Sequence, residues 1–149
     1  MKKIILLIAI IFQIISTSYA DQNNPKLEKL FSDLSLTQSE IKAQPIVLKI
    51  WSIWSVANDI KTQEKFDAGS ELMSQRRYSE SIAMFSDAIN LQPNFAEAWN
   101  KRATVNYLIG NYEESISDIF STLELEPRHF GALDGLAQIY MIQDKYYKA

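Results

Sequence analysis

The stretch Tyr78-Ser79-Glu80-Ser81-Ile82 returns as Tyr112-Glu113-Glu114-Ser115-Ile116, and Leu91 and Pro93 return as Leu125 and Pro127, all at an interval of 34 residues. That period is the mark of a helical repeat array. Each unit is a helix pair that cannot bury its apolar face alone, so units stack, and the stack presents a curved surface whose usual work is to hold another polypeptide. The expected fold is all-α, an α-solenoid of helix pairs preceded by an N-terminal helical extension. The expected function is binding rather than catalysis.

Three registers are read from Thr62 onward: residues 62–95, 96–129 and an incomplete unit over 130–149. Small residues at Gly69, Ala103 and Ala137 let paired helices approach closely, Tyr78, Tyr112 and Tyr146 fill the gap beneath each turn, and Pro93 and Pro127 end the second helices. The sequence given stops at Ala149, a few residues into the second helix of the third unit. Leu133, Leu136, Ile139, Tyr140 and Ile142 are then expected to have incomplete cover. Either a longer protein or self-association through the C-terminal helices would supply it.

Residues 21–61 form the extension. Asp21 to Pro25 is polar and expected to fray, whereas Leu27, Leu30, Phe31 and Leu34 fall on one helical stripe. A second stripe runs through Ile46, Ile50, Ile53, Trp54 and Ala57. Pro45 makes that helix begin near it or bend there, and Asn58 and Asp59 are expected to close it. Trp51 and Trp54 read either as an exposed aromatic anchor for a partner or, the preferred reading, as packing that shields the first helix of the array.

The first residues add an address. Met1-Lys2-Lys3 is a basic start, Ile4 to Ile15 is apolar apart from Gln13, and Ser18-Tyr19-Ala20 offers small residues before Asp21. This pattern predicts a signal peptide over residues 1–20 and a periplasmic protein; the alternative is an uncleaved segment anchoring the chain in the inner membrane. With no cysteine the chain has neither a disulfide nor a lipidated cysteine. Removal of residues 1–20 takes the net charge from −3 to about −5 and leaves enough chain for one modest core.

The types at Trp99, Ala103, Gly110, Tyr112, Ser115 and Pro127, and at Gly69, Leu72, Tyr78, Ser81, Phe85, Ala88 and Pro93, resemble the tetratricopeptide repeat; Leu133, Leu136, Ala137, Tyr140 and Tyr146 continue it. Trp99 to Ala103, Gly110 to Tyr112 and Glu126 to Ala132 are also similar to small exported repeat proteins of alphaproteobacteria, as is Ile50 to Trp54. That narrower likeness implies an envelope location. The family resemblance implies a concave face lined by the first helix of each unit, with Phe66, Ser70, Met73, Asn100, Thr104, Tyr107, Asp134, Gln138 and Met141 as its non-core positions. Such a mixed surface suits an extended peptide or helix, with methionines adapting to shape. The lysine and asparagine clamp by which some relatives grip acidic peptide ends is replaced here by Phe66 and Ser70 in the first unit.

Arg102 departs from the family, which places leucine there. A charge facing the inter-helix core demands a carboxylate, and Asp118 and Asp87 are the candidates; the alternative is an acidic ligand in a polar pocket. His129, the only histidine, reads as a turn residue after Pro127, and without cysteines or a second imidazole it predicts no structural zinc. No metal, cofactor or catalytic residue is predicted, since Glu113/Glu114 and Glu124/Glu126 fall at helix ends on solvated faces. Scattered lysines and arginines on an acidic chain predict no nucleic-acid partner. The expected partner is a protein or peptide, with membrane contact only through an uncleaved N-terminal segment.

Overall fold

The computed structural model describes residues 24–143, and these contain seven α-helices and no strand. They are α1 (Pro25–Ser35), α2 (Glu40–Trp54), α3 (Ile60–Ser74), α4 (Tyr78–Leu91), α5 (Ala96–Leu108), α6 (Tyr112–Leu125) and α7 (Phe130–Ile142). The expected signal segment and the expected helix from Tyr146 lie outside the described residues.

Helices α3 and α4 pair, as do α5 and α6, while α4 packs on α5 and α6 on α7, the stacking order of a solenoid. The 34-residue echo has a structural cause at each position. Ser81 donates its hydroxyl to the Gly69 carbonyl at 2.7 Å, and Ser115 donates to the Ala103 carbonyl at 2.8 Å. Serine recurs because only a small side chain with a donor fits this buried contact between the two helices of a unit. Opposite it, a Cβ at Gly69 would lie 2.8 Å from the Phe85 ring, so the first pair closes over a missing side chain. The turns repeat too: Arg76 (φ 60°) and Gly110 (φ 82°), 34 residues apart, both adopt the left-handed conformation.

Local signals fix the helix starts. Asn24 accepts the Lys26 N–H at 3.0 Å with Pro25 in the first turn of α1, and Asp59 accepts the Thr62 N–H at 3.0 Å and the Thr62 hydroxyl at 2.6 Å. Two expectations are corrected here. Asp59 opens α3 rather than closing α2, and Pro25 belongs to a helix rather than to a frayed end. α2 also starts five residues before Pro45 and continues through it, so the proline removes only the bond to the Ile41 carbonyl.

Three apolar clusters result. Phe66, Phe85, Phe95 and Val105 centre the first two units, and Ala103, Ile119, Ala132 and Ile139 centre the next junction. Leu27, Ile50 and Trp54 join the extension, with Leu30, Phe31, Leu34, Ile46 and Ile53 around them, as the stripes predict except at Ala57, which lies past the end of α2 and packs on the first cluster instead. Of the α7 residues expected to lack cover, Ile139 is fully buried, a correction explained by its packing on the α5–α6 unit; Leu133 and Ile142 remain half exposed.

The tryptophans of the extension do not shield α3, as their preferred reading had it; the link after α2 reaches that helix instead, where Gln63 bonds the Ser55 carbonyl and the Ala57 N–H. The extension lies against the turn between the second and third units. Trp54 stacks on His129 with centroids 4.2 Å apart and planes 14° apart, and Trp51 meets His129 and Phe130 edge-on. Arg128 completes the seam. Its guanidinium pairs with Glu126 at 2.8 Å and Glu28 at 2.7 Å and lies 4.3 Å from the Phe31 ring, and these carboxylates, Glu126 first, raise its pKa above the ordinary arginine value.

Candidate protein-binding site

Between α5 and α7 runs a cleft of about 210 Å³. Its α5 wall is Asn100, Thr104, Tyr107 and Leu108, its α7 wall is Asp134 and Gln138, and Ala103, Ser115 and Ile119 form the floor. The cleft is widened because α7 carries Gly131 and Gly135 four residues apart, leaving the first part of that helical face, before Gln138, without side chains. A Cβ at Gly135 would reach within 3.5 Å of Ile119. At the other glycine the space is already taken, since Trp51 lies where a Gly131 Cβ would sit, 2.7 Å from it. The extension therefore closes one end of the cleft.

Five of the nine expected positions, Asn100, Thr104, Tyr107, Asp134 and Gln138, come together here. The others do not. Phe66 is a correction: it is 4% exposed and packs against Phe85 and Phe95, so its ring is core. Met73 is half-buried against the same core, Ser70 turns its hydroxyl to the Phe66 carbonyl at 3.0 Å, and Met141 is 65% exposed outside the cleft. Asn100 is buried and donates to Glu97 at 3.0 Å, while Tyr107 is half-buried beside Tyr112. Neither is the free surface group expected. The residues missed, Leu108, Gly131 and Gly135, leave one legible signal, the glycine pair at helical spacing.

Beneath the closed end lies a buried polar cluster. His129 stands in the turn that opens α7, as its sequence reading has it, and is fully buried there, like Phe95, its counterpart 34 residues earlier. His129 Nδ1 accepts the Ala132 N–H at 3.2 Å, so the ring proton sits on Nε2 and is donated to Glu97 Oε2 at 2.9 Å. Lys101 Nζ lies 3.4 Å from the other Glu97 oxygen. Arg102 behaves as the charge argument requires: it holds Asp118 through two bonds of 2.8 and 2.7 Å, with Ser86 at 2.9 Å. Asp87, the other candidate, takes Lys65 instead, at 2.7 Å. Among the described residues no group of histidine and carboxylate side chains is placed to hold a metal ion.

No protein-family profile matches the chain. A TPR repeat-containing protein of Rhizobium etli is 37% identical to it over 114 residues, 76% of this chain. With the 34-residue period and the paired helices, that likeness decides the family. The chain belongs to the tetratricopeptide repeat family. Hsp70-Hsp90 organizing protein 3 of Arabidopsis thaliana is 22% identical over 87% of the chain, and Hsp70-Hsp90 organizing protein 1 of Glycine max is 26% identical over 61%. This tetratricopeptide repeat chain spans 56% of the length of the Rhizobium etli protein and 21% and 18% of the other two. Stacked helix pairs of this kind present a curved surface suited to holding another polypeptide.

Proposed function

We propose that this tetratricopeptide repeat chain is a periplasmic scaffold that holds a peptide or a helix of a partner in the concave cleft between α5 and α7. The observation that carries this reading is the cleft itself. It has an apolar floor, a rim of Thr104, Asp134 and Gln138, and walls on successive first helices, which is the arrangement by which helical arrays grip a chain segment. The rim is partly self-satisfied, since Gln138 donates to Asp134 at 2.6 Å. A partner must replace that bond, which favours ligands with backbone or amide groups of their own. The Hsp70-Hsp90 organizing proteins, named for bringing two other proteins together, support a polypeptide ligand.

The periplasmic part of the proposal rests on Met1 to Ala20. No helix among the described residues is long and apolar enough to cross a membrane. The run Ile4 to Ile15 favours a second reading, in which that segment is retained and the repeats assemble an envelope complex. N-terminal sequencing of the protein recovered from the cell envelope separates the two: an N-terminus at Asp21 supports the first, and one at Met1 the second.

The cleft is tested by placing a photo-crosslinking residue at Gln138 or, as a control, at exposed Phe120 on α6. Irradiation in cells is expected to trap a polypeptide at Gln138 and not at Phe120. Equal adducts at both, or adducts at Phe120 alone, would overturn the concave assignment.

A further inference from the structure

Helix α2 is apolar on two opposite faces, and only one has a partner among the described residues. Ile50 and Trp54 are buried, with Ile46 and Ile53 packed beside them in the cluster that joins the extension to the array. On the opposite side Ile41, Pro45 and Leu48 fall at i, i+4 and i+7, one continuous stripe. Ile41 is 87% exposed and Leu48 64%. Single exposed apolar residues are ordinary, but a stripe of them on a helix already spending its other face in a core needs a covering surface.

Charge selects that surface. Lys42 and Lys49 stand one residue beyond Ile41 and Leu48, along one flank of the stripe, are exposed, and make no ion pair among the described residues. Residues 24–61 carry five lysines against four carboxylates, whereas residues 62–143 carry six cations against twelve carboxylates. The repeats are thus repelled by an anionic surface that the outer face of α2 attracts. A lone apolar stripe flanked by lysines is the pattern of a helix lying in a bilayer interface, with side chains among the acyl ends and ammonium groups at the phosphates. A second copy fits less well, because an antiparallel pairing of two α2 stripes sets the lysines of one copy beside those of the other.

We infer that the outer face of α2 is a docking surface for a phospholipid bilayer containing anionic headgroups, with Ile41, Pro45 and Leu48 inserted and Lys42 and Lys49 on the phosphates. This contact is separate from the concave cleft and from any retention of the N-terminal segment. It holds the array at the membrane with its acidic repeats turned to the aqueous side.

The test uses the absence of cysteine from the full chain, which allows one environment-sensitive fluorophore to be attached at Leu48→Cys or, in a second protein, at Phe120→Cys. Vesicles of phosphatidylcholine alone are compared with vesicles containing about a third phosphatidylglycerol. Emission from position 48 is expected to shift to the blue and rise several-fold on the anionic vesicles only, while position 120 stays unchanged. Adding Lys42→Gln and Lys49→Gln to the position-48 protein is expected to weaken the response roughly tenfold, with helical content by circular dichroism unchanged. A tether through the N-terminal segment alone predicts no response at position 48, and that result overturns the proposal. So do an equal response on neutral vesicles and a concentration-dependent shift without vesicles, which would mark a contact between copies.

Discussion

Trp54 and His129, 75 positions apart in the chain, lie face to face with ring centroids 4.2 Å apart. The contact is the mechanical link between the extension and the array. Above it, Trp51 covers Gly131; below it, the histidine holds the buried Glu97 carboxylate. A helix pair with a small core of its own thereby gains a firm seat, and the turn between the second and third units gains a lid.

Removing the indole tests that link. Trp54→Ala leaves a cavity lined by Phe31, His129 and Phe130 and is expected to lower stability by about 3–5 kcal/mol. Urea melts measure the loss, and the emission of Trp51 should move to the red as α2 leaves its seat. A stability unchanged within about 0.5 kcal/mol would show that the extension contributes nothing to the folded array.

The buried carboxylate makes a second prediction. Replacing the histidine by its repeat counterpart, His129→Phe, keeps an aromatic ring against Trp54 but removes the donor to Glu97, leaving Asn100 and Lys101 to satisfy it. The expected cost is about 2 kcal/mol, and adding Glu97→Gln should recover part of it. Strict additivity of the two changes in a double-mutant cycle would mean that the pair does not interact.

Arg102 is expected to show the same asymmetry more strongly. Arg102→Ala strands the buried Asp118 carboxylate and should cost roughly 3 kcal/mol, while Arg102→Leu, which restores the family's apolar residue, costs less because packing offsets part of the loss. Urea midpoints of the three proteins decide it, and equal stability of all three would defeat the pairing.

The paired helices and their stacking were legible because the 34-residue period marks them twice over, at Ser81 and Ser115 as at Pro93 and Pro127. Arg102 and Asp118 were legible because a charge at an apolar position requires a partner nearby. The seat of the extension was not. Periodicity tells which face of α2 is buried but not against what, and Trp54 finds His129 across two repeats. The place of His129 in the turn was legible from Pro127, whereas its burial was not drawn from the turn, although alignment with buried Phe95 carried that signal. Phe66 was misplaced for a related reason: the family position faces the concave side, yet a phenylalanine there folds inward onto Phe95.

At the start of α3 a pH dependence is expected. The Thr62 hydroxyl, and then its N–H, hold the Asp59 carboxyl below its ordinary pKa. A depressed carboxyl pKa contributes stability that is present above the unfolded value, near 4, and is lost as pH falls through the folded one. Asp59→Asn should therefore lower the melting temperature by about a degree or two at pH 7, and the difference should shrink as the pH falls below the unfolded value and through the depressed folded one. A gap that persists in acid would assign the effect to geometry instead of charge.

The two left-handed turn residues offer the last prediction, because the chain contains its own control. Arg76 adopts φ 60° where a side chain is strained, and Gly110, at the same position of the next unit, adopts φ 82° without strain and with no atom within 4 Å of a would-be Cβ. Arg76 is exposed, so exchanging it removes no buried contact. Arg76→Gly is expected to stabilise the chain by about 0.5 kcal/mol, since relief of strain outweighs the extra freedom of glycine in the unfolded chain, whereas Gly110→Ala should destabilise it by about 1 kcal/mol. Opposite signs in paired thermal melts support a backbone origin. A loss in both would mean that the Arg76 side chain has a stabilising role that the turn conformation does not account for.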